Sequence, residues 1–125
     1  MFWIDPMSRV PIYEQLIAQV ERFVLAGALK AGDAMPSVRA LSAQLSVNPN
    51  TIQKAYGEMC QRGLLCAVPG KGCFVAPTAE ETLKNRAKEQ LAQFKEQVRQ
   101  WKAAGLTKDE LYTVIDTVFE EQEGL

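Results

Sequence analysis

Two helix-start signals stand eleven positions apart, Ser37 behind Pro36 and Asn48 ahead of Pro49, and this spacing constrains the fold more than any other feature of the chain. Ser and Asn accept hydrogen bonds from the free amides of a helix's first turn, and Pro at the first helical position gives up no intrahelical bond. Between the signals, Val38, Leu41 and Leu45 recur at helical spacing, which predicts a short helix that ends by Ser46. The next helix then follows the tight link Leu45-Ser46-Val47-Asn48 and runs to Gly63, the residue expected just past a helix end. Its buried stripe is Ile52, Ala55, Tyr56 and Met59. On the opposite face Asn50, Gln53, Lys54 and Gly57 are small, polar or basic, a surface suited to a polar partner at close approach.

An earlier helix opens at Pro11-Ile12, carries Ile12, Leu16, Val20, Phe23 and Val24 at spacings of three and four, and stops at Gly27. Ahead of it, Phe2-Trp3-Ile4-Asp5 reads as a short strand. Behind the third helix, two apolar runs around Pro69-Gly70-Lys71-Gly72 read as a two-stranded hairpin, which must lean on the helices to be stable. The order is helix, helix, helix, hairpin.

Val75-Ala76-Pro77-Thr78 marks a boundary, giving one domain over residues 1–77 and a second segment over 78–125. Charge divides at the same place: seven Lys/Arg face five Asp/Glu before it, and seven face ten behind it. Thr78-x-x-Glu81 is a capping box, followed by Leu83, Ala87, Leu91, Phe94, Val98 and Trp101 in a near-heptad seam ending at Gly105. Thr107-x-x-Glu110 starts another helix whose apolar face, Leu111, Val114, Ile115, Val118 and Phe119, extends up to Gly124. Two helices with a tight turn form an antiparallel hairpin, but a pair this small cannot bury both seams. Phe94, Trp101, Val114, Val118 and Phe119 are expected to meet the first domain or, the favoured reading, the same residues of a second chain.

Histidine is absent, which removes Ser/His/Asp and Cys/His catalysis, His-containing zinc sites and imidazole bases. Glu80-Glu81 and Glu120-Glu121 sit at helix ends rather than across a cleft, and Gly70-Lys71-Gly72 lacks the spacing of a nucleotide-binding loop. The chain reads as no enzyme, with no cofactor. Cys60, Cys66 and Cys73 have neither disulfide-framework parity nor zinc-ligand spacing, and the N-terminus has no signal-peptide pattern, so the expected setting is the reducing cytoplasm. No apolar run is long enough to span a membrane. In one register Cys66 and Cys73 would face each other across the hairpin and could form a redox-sensitive disulfide; otherwise they are small fillers.

Pro11-Ile12-Tyr13, Gly27-x-Leu29-x-x-Gly32-Asp33-x-Met35-Pro36-Ser37-Val38-Arg39-x-Leu41-Ser42, Val47-Asn48-Pro49-Asn50-Thr51-Ile52-x-x-Ala55-Tyr56, Gly63-Leu64-Leu65 and Gly70-Lys71-Gly72-x-Phe74-Val75 occur in this order. Together they resemble the GntR family of bacterial transcription regulators over roughly residues 8–76. Asn48-Pro49-Asn50-Thr51 and the short tail resemble the YtrA-like branch, whose members carry only a compact helical dimerisation segment. The resemblance implies a mostly α fold with a β-hairpin wing, a winged helix-turn-helix domain followed by a two-helix dimerisation hairpin. It also implies a homodimer on double-stranded DNA, a palindromic operator, repression, and a target in the protein's own operon, often with membrane transporter genes.

The resemblance makes Arg39 a base reader, bidentate to a guanine, with a surface salt bridge as the alternative. Ser37 would donate to phosphate, cap its helix, or both. Asn48 is assigned mainly to capping, Asn50 and Thr51 to phosphate or base edges, Gln53 to bases and Lys54 to phosphate; solvation of that face is the alternative. Gly70, Lys71 and Gly72 would form the wing tip at the minor groove, unless they are only a hairpin turn. Pro69 and Cys73 depart from the family's pattern and leave the wing poorer in hydroxyl and basic groups. Between Lys30 and Val75, five cations against two anions give a modest basic footprint. Leu91, Phe94, Val98, Trp101, Leu111, Val114, Ile115, Val118 and Phe119 would form the dimer contact. The tail has no room for the effector domain of long-tailed relatives, and no residues point to an effector site. The other reading is a winged-helix module that binds an acidic protein, which would be expected to expose aromatics near Arg39 and the Asn48–Lys54 face.

Overall fold

Helix α1 (Ile12–Leu25) buries Leu16, Ile17, Val20 and Val24 along one side, and the chain leaves it through Gly27 at φ 79°. The computed structural model describes residues 1–121. Helix α2 (Val38–Leu45) starts where Ser37 Oγ accepts the Ala40 amide at 3.0 Å, and α3 (Pro49–Gln61) where Asn48 Oδ1 accepts the Asn50 amide at 2.8 Å. Both expected caps are present. The turn between these helices passes through Ser46 at φ 54°, the one non-glycine residue with positive φ among the described residues. Ser42, buried beneath it, donates its hydroxyl to the Val47 carbonyl, while the Val47 amide bonds back to the Ser42 carbonyl at 3.1 Å. This reciprocal pair satisfies the turn's backbone without solvent.

Ile52, Ala55, Tyr56 and Met59 seat α3 in the core beside Leu16, Val20, Leu41 and Leu64. The Tyr56 hydroxyl donates to the Pro36 carbonyl at 2.7 Å, tying α3 to the entry of α2, and burial pushes this phenol well up from its ordinary value.

Strands β1 (Leu65–Val68) and β2 (Gly72–Val75) form the expected hairpin in the register Leu65↔Val75, Cys66↔Phe74, Ala67↔Cys73, Val68↔Gly72. Side chains alternate faces along a strand, so Cys66, opposite Phe74, and Cys73, opposite Ala67, point to opposite sides. The facing arrangement considered for a wing disulfide is absent. Cys60 at the end of α3 is the thiol beside Cys73; burial first, and then that neighbour, push its thiol up.

Two features differ from the sequence reading. The hairpin has a third extended neighbour: Gly32 and Met35 amides bond the Val75 and Cys73 carbonyls, each at 2.9 Å, and the Val75 amide bonds Asp33 at 2.8 Å, with a bridge between Ala34 and Phe74. Residues 2–5 form no strand. Instead Gln15 and Gln19, one turn apart on α1, pair the arm through side-chain amides: Gln15 Oε1 accepts from Asp5 and Gln19 Oε1 from Trp3, while both amide nitrogens donate to those residues' carbonyls. Phe2 packs edge-on to Phe23 at 5.6 Å. The side chains supply the ladder that a partner strand would have provided.

Helix α4 (Ala79–Ala103) adds buried Ala79 and Leu83 to this core. The chain divides into two compact units, one of residues 1–84 and one from Asn85 onward. In the second, α4 ends ahead of Gly105 at φ 98°, and Thr107 caps α5 (Lys108–Glu120) by accepting the Glu110 amide at 3.1 Å. Phe94 and Trp101 meet edge-on at 6.3 Å. No residue of α5 is buried among the described residues, and the apolar side chains of the expected seam on this helix are exposed or half-buried. Gly124, the expected terminator, lies outside the described residues.

Candidate nucleic-acid interface

Helices α2 and α3 have no acidic side chain in their first turns, whereas α1, α4 and α5 do. The positive dipole ends of α2 and α3 are therefore uncancelled, and their free amides suit an anion. Polar and cationic side chains cluster around these two starts.

Ser37 Oγ spends a lone pair on its cap, leaving the hydroxyl proton free to donate. Two residues on, Arg39 is exposed and takes part in none of the ion pairs among the described residues, so the salt-bridge alternative finds no partner. Asn48 is occupied as the cap. Asn50, Gln53, Lys54 and Gly57 are all exposed, with Thr51 half-buried on the flank. A Cβ on Gly57 would meet nothing within 4 Å, so the absent side chain leaves open space on the outer face of α3.

Acidic neighbours are occupied. Glu58 pairs with Arg62 at 3.4 Å, and Asp33 Oδ2 accepts the Lys30 amide at 2.8 Å. At the tip of the wing, Gly70 and Gly72 adopt φ 76° and 111°, which side chains rarely tolerate, and Lys71 between them is exposed. The hairpin turn and the cation coincide.

Sequence reasoning passed over Tyr13. The Lys54 ammonium lies 4.0 Å from the centroid of its ring, and Pro11, Ile12, Tyr13, Asn50, Thr51 and Lys54 line an open groove where α1 begins beside α3. In the sequence Tyr13 stands only as part of the Pro11-Ile12-Tyr13 string that opens the first helix, and only the packing of α1 on α3 brings it to Lys54. Among the described residues, no group of three or more Cys, Asp or Glu gathers as a metal site, and no helix is long and apolar enough to cross a membrane.

Comparison with known proteins gives a consistent result. Residues 12–75 match the family described as bacterial regulatory proteins, gntR family. The chain is 40% identical over 100 residues to the HTH-type transcriptional repressor YtrA of Bacillus subtilis, covering 80% of this chain and 75% of that one. It is also 40% identical over 116 residues to the HTH-type transcriptional regulator YhcF of the same organism, covering 90% and 93%. Among solved structures, a GntR family transcriptional regulator from Listeria monocytogenes superposes with a TM-score of 0.71 at 28% identity, over 91% of this chain and 98% of that one. AraR(DBD) in complex with operator ORX1 superposes with a TM-score of 0.53 at 31% identity, over 60% of this chain and 93% of that one.

Proposed function

The chain belongs to the gntR family of bacterial regulatory proteins, in its YtrA-like branch, and from that premise we propose that it is a homodimeric repressor that occludes a promoter at a palindromic operator. It is a DNA-binding transcriptional regulator, as its relatives are. The observation that carries the finer reading is the exposed row Asn50, Gln53, Lys54 and Gly57 on a helix anchored in the core and opening on an acid-free first turn. Such a helix fits the major groove and keeps its side chains free for base edges and phosphates.

In this reading Arg39 and Gln53 read bases, Ser37, Asn50, Thr51 and Lys54 contact backbone or base edges, and Gly70-Lys71-Gly72 approaches the minor groove. Residues 1–77 bind DNA and residues 78–125 dimerise. The open seam supports dimerisation: Leu91, Phe94, Val114, Val118 and Phe119 are exposed, Phe119 by 85%, and Val98, Trp101 and Leu111 are only half-buried, with Ile115 at the margin. Soluble chains rarely leave a contiguous apolar face of this kind uncovered. Two copies double a basic footprint that is modest in one.

Fluorescence anisotropy of the protein on its own upstream DNA and on a scrambled duplex, at two salt concentrations, tests the proposal. Tight binding of two protomers to the upstream fragment alone is expected. Equal binding to both, erased by salt, would mean either that the operator lies elsewhere or that the winged domain serves an acidic protein instead, and a pull-down would decide between them.

A further inference from the structure

We propose that Tyr13 is a positioning residue for the DNA contact: its ring holds the Lys54 ammonium at the open end of the α1–α3 groove, ordered in advance for a backbone phosphate. The inference rests on the DNA-binding reading above. Lys54 is exposed, on the outer face of α3, one turn beyond Asn50, and its ammonium stands 4.0 Å from the Tyr13 ring centroid. A free lysine has many rotamers to lose when it meets a phosphate, and an aromatic face that attracts the cation beforehand reduces that loss.

The ring, not the hydroxyl, is the part left for this task. The Tyr13 hydroxyl donates to Glu14 Oε1 at 3.2 Å, and that bond, with the Glu14 charge, pushes the phenol up from its ordinary value. Acidic groups also set the direction of approach. Glu14 follows Tyr13 on α1, and Glu58, paired with Arg62 at 3.4 Å, lies one turn beyond Lys54 on α3. A phosphate is therefore admitted at the Asn50–Thr51 end of the groove, where α3 has no acidic side chain. Tyr13 thus makes Lys54 a contact of fixed place, whereas a mobile lysine would only add diffuse charge.

The test uses the full chain as wild type, Tyr13→Phe, Tyr13→Leu, Lys54→Gln and the double variant Tyr13→Leu/Lys54→Gln. Each is titrated into the upstream and scrambled duplexes over a range of salt, and the NMR shift of the Lys54 ε-methylene is read on the free protein. Tyr13→Phe keeps the ring and is expected to bind within about twofold of wild type, while Tyr13→Leu weakens both duplexes about three- to fivefold. Tyr13→Leu adds nothing once Lys54 is Gln, and Lys54→Gln lowers the log–log salt slope by about one per protomer. The ε-methylene resonates upfield of its random-coil position in wild type and Tyr13→Phe, and returns to it in Tyr13→Leu. An unshifted ε-methylene in wild type, Tyr13→Phe as damaging as Tyr13→Leu, or equal losses in both Lys54 backgrounds overturns the positioning role alone. Binding of wild type to neither duplex at low salt overturns the DNA reading and this role with it.

Discussion

Arg39 and Lys54 are both exposed cations, but Arg39, at the start of α2, has no ion-pair partner among the described residues, while Lys54 of α3 lies over the Tyr13 ring of α1. A guanidinium that reads a guanine contributes to one sequence, whereas an ammonium on phosphate contributes to all of them. Arg39→Ala is therefore predicted to lower operator affinity by about 1–3 kcal/mol with little change on scrambled DNA, and Lys54→Ala to weaken both alike. Anisotropy on the two duplexes separates these outcomes, and equal losses for Arg39→Ala would remove the base-reading role proposed for it. Tyr56 makes a different prediction. Its phenol is neutral and hydrogen-bonded in the folded chain and ionises from 10.0 upward once unfolded, so the unfolded state binds fewer protons above that pH. The stability tied to this group is complete below pH 10 and is lost as pH rises beyond it. Urea melts should show Tyr56→Phe less stable by about 1 kcal/mol at neutral pH, with a shallower alkaline decline than wild type.

At the level of elements, the turn between α2 and α3 carries a serine in the left-handed region, where glycine is at ease. Ser46→Gly is expected to stabilise the fold by up to about 1 kcal/mol, seen as a rise in Tm, because Ser46 caps α2 through its backbone amide, which bonds the Ser42 carbonyl and is kept by glycine, while its side chain makes no hydrogen bond among the described residues. A fall in Tm would mean that the serine contributes a bond that outweighs its strain. The same helices explain what the sequence discloses. Ser37, Asn48-Pro49 and Gly63 are local signals whose physics is complete within a few residues, and all three mark the ends of elements as expected. The third extended segment at 32–35 is hidden because Gly32-Asp33 and Pro36 look like turn residues and its partners lie forty positions away. The arm at 2–5 misleads for the opposite reason: its apolar run Phe2-Trp3-Ile4 suits a strand, yet no strand pairs with it among the described residues, and Gln15 and Gln19 take that part. In the candidate interface, the polar row on α3 is legible from helical spacing. Tyr13 is not, because its meeting with Lys54 depends on how α1 crosses α3.

At the level of the whole molecule, a domain with an exposed polar face on α3 and a wing is followed by a segment whose helix α5 carries exposed apolar side chains. In the proposed dimer the second feature gives the first its reach, since two modest basic footprints held at fixed separation would bind as one. Val118→Glu/Phe119→Glu places charges on the exposed face of α5. This variant is expected to sediment as a monomer with unchanged helical content and to lose about a hundredfold or more in operator affinity. A dimer that persists would move the contact elsewhere on the chain. The most direct test of the central claim is hydroxyl-radical footprinting of wild type on its upstream DNA. A homodimer on a palindromic operator is expected to give two patches of protection related by a dyad, one helical turn or a multiple of it apart, each with a flanking minor-groove protection from the wing. Protection spread evenly along the duplex, or none at protein concentrations that saturate binding, would contradict it.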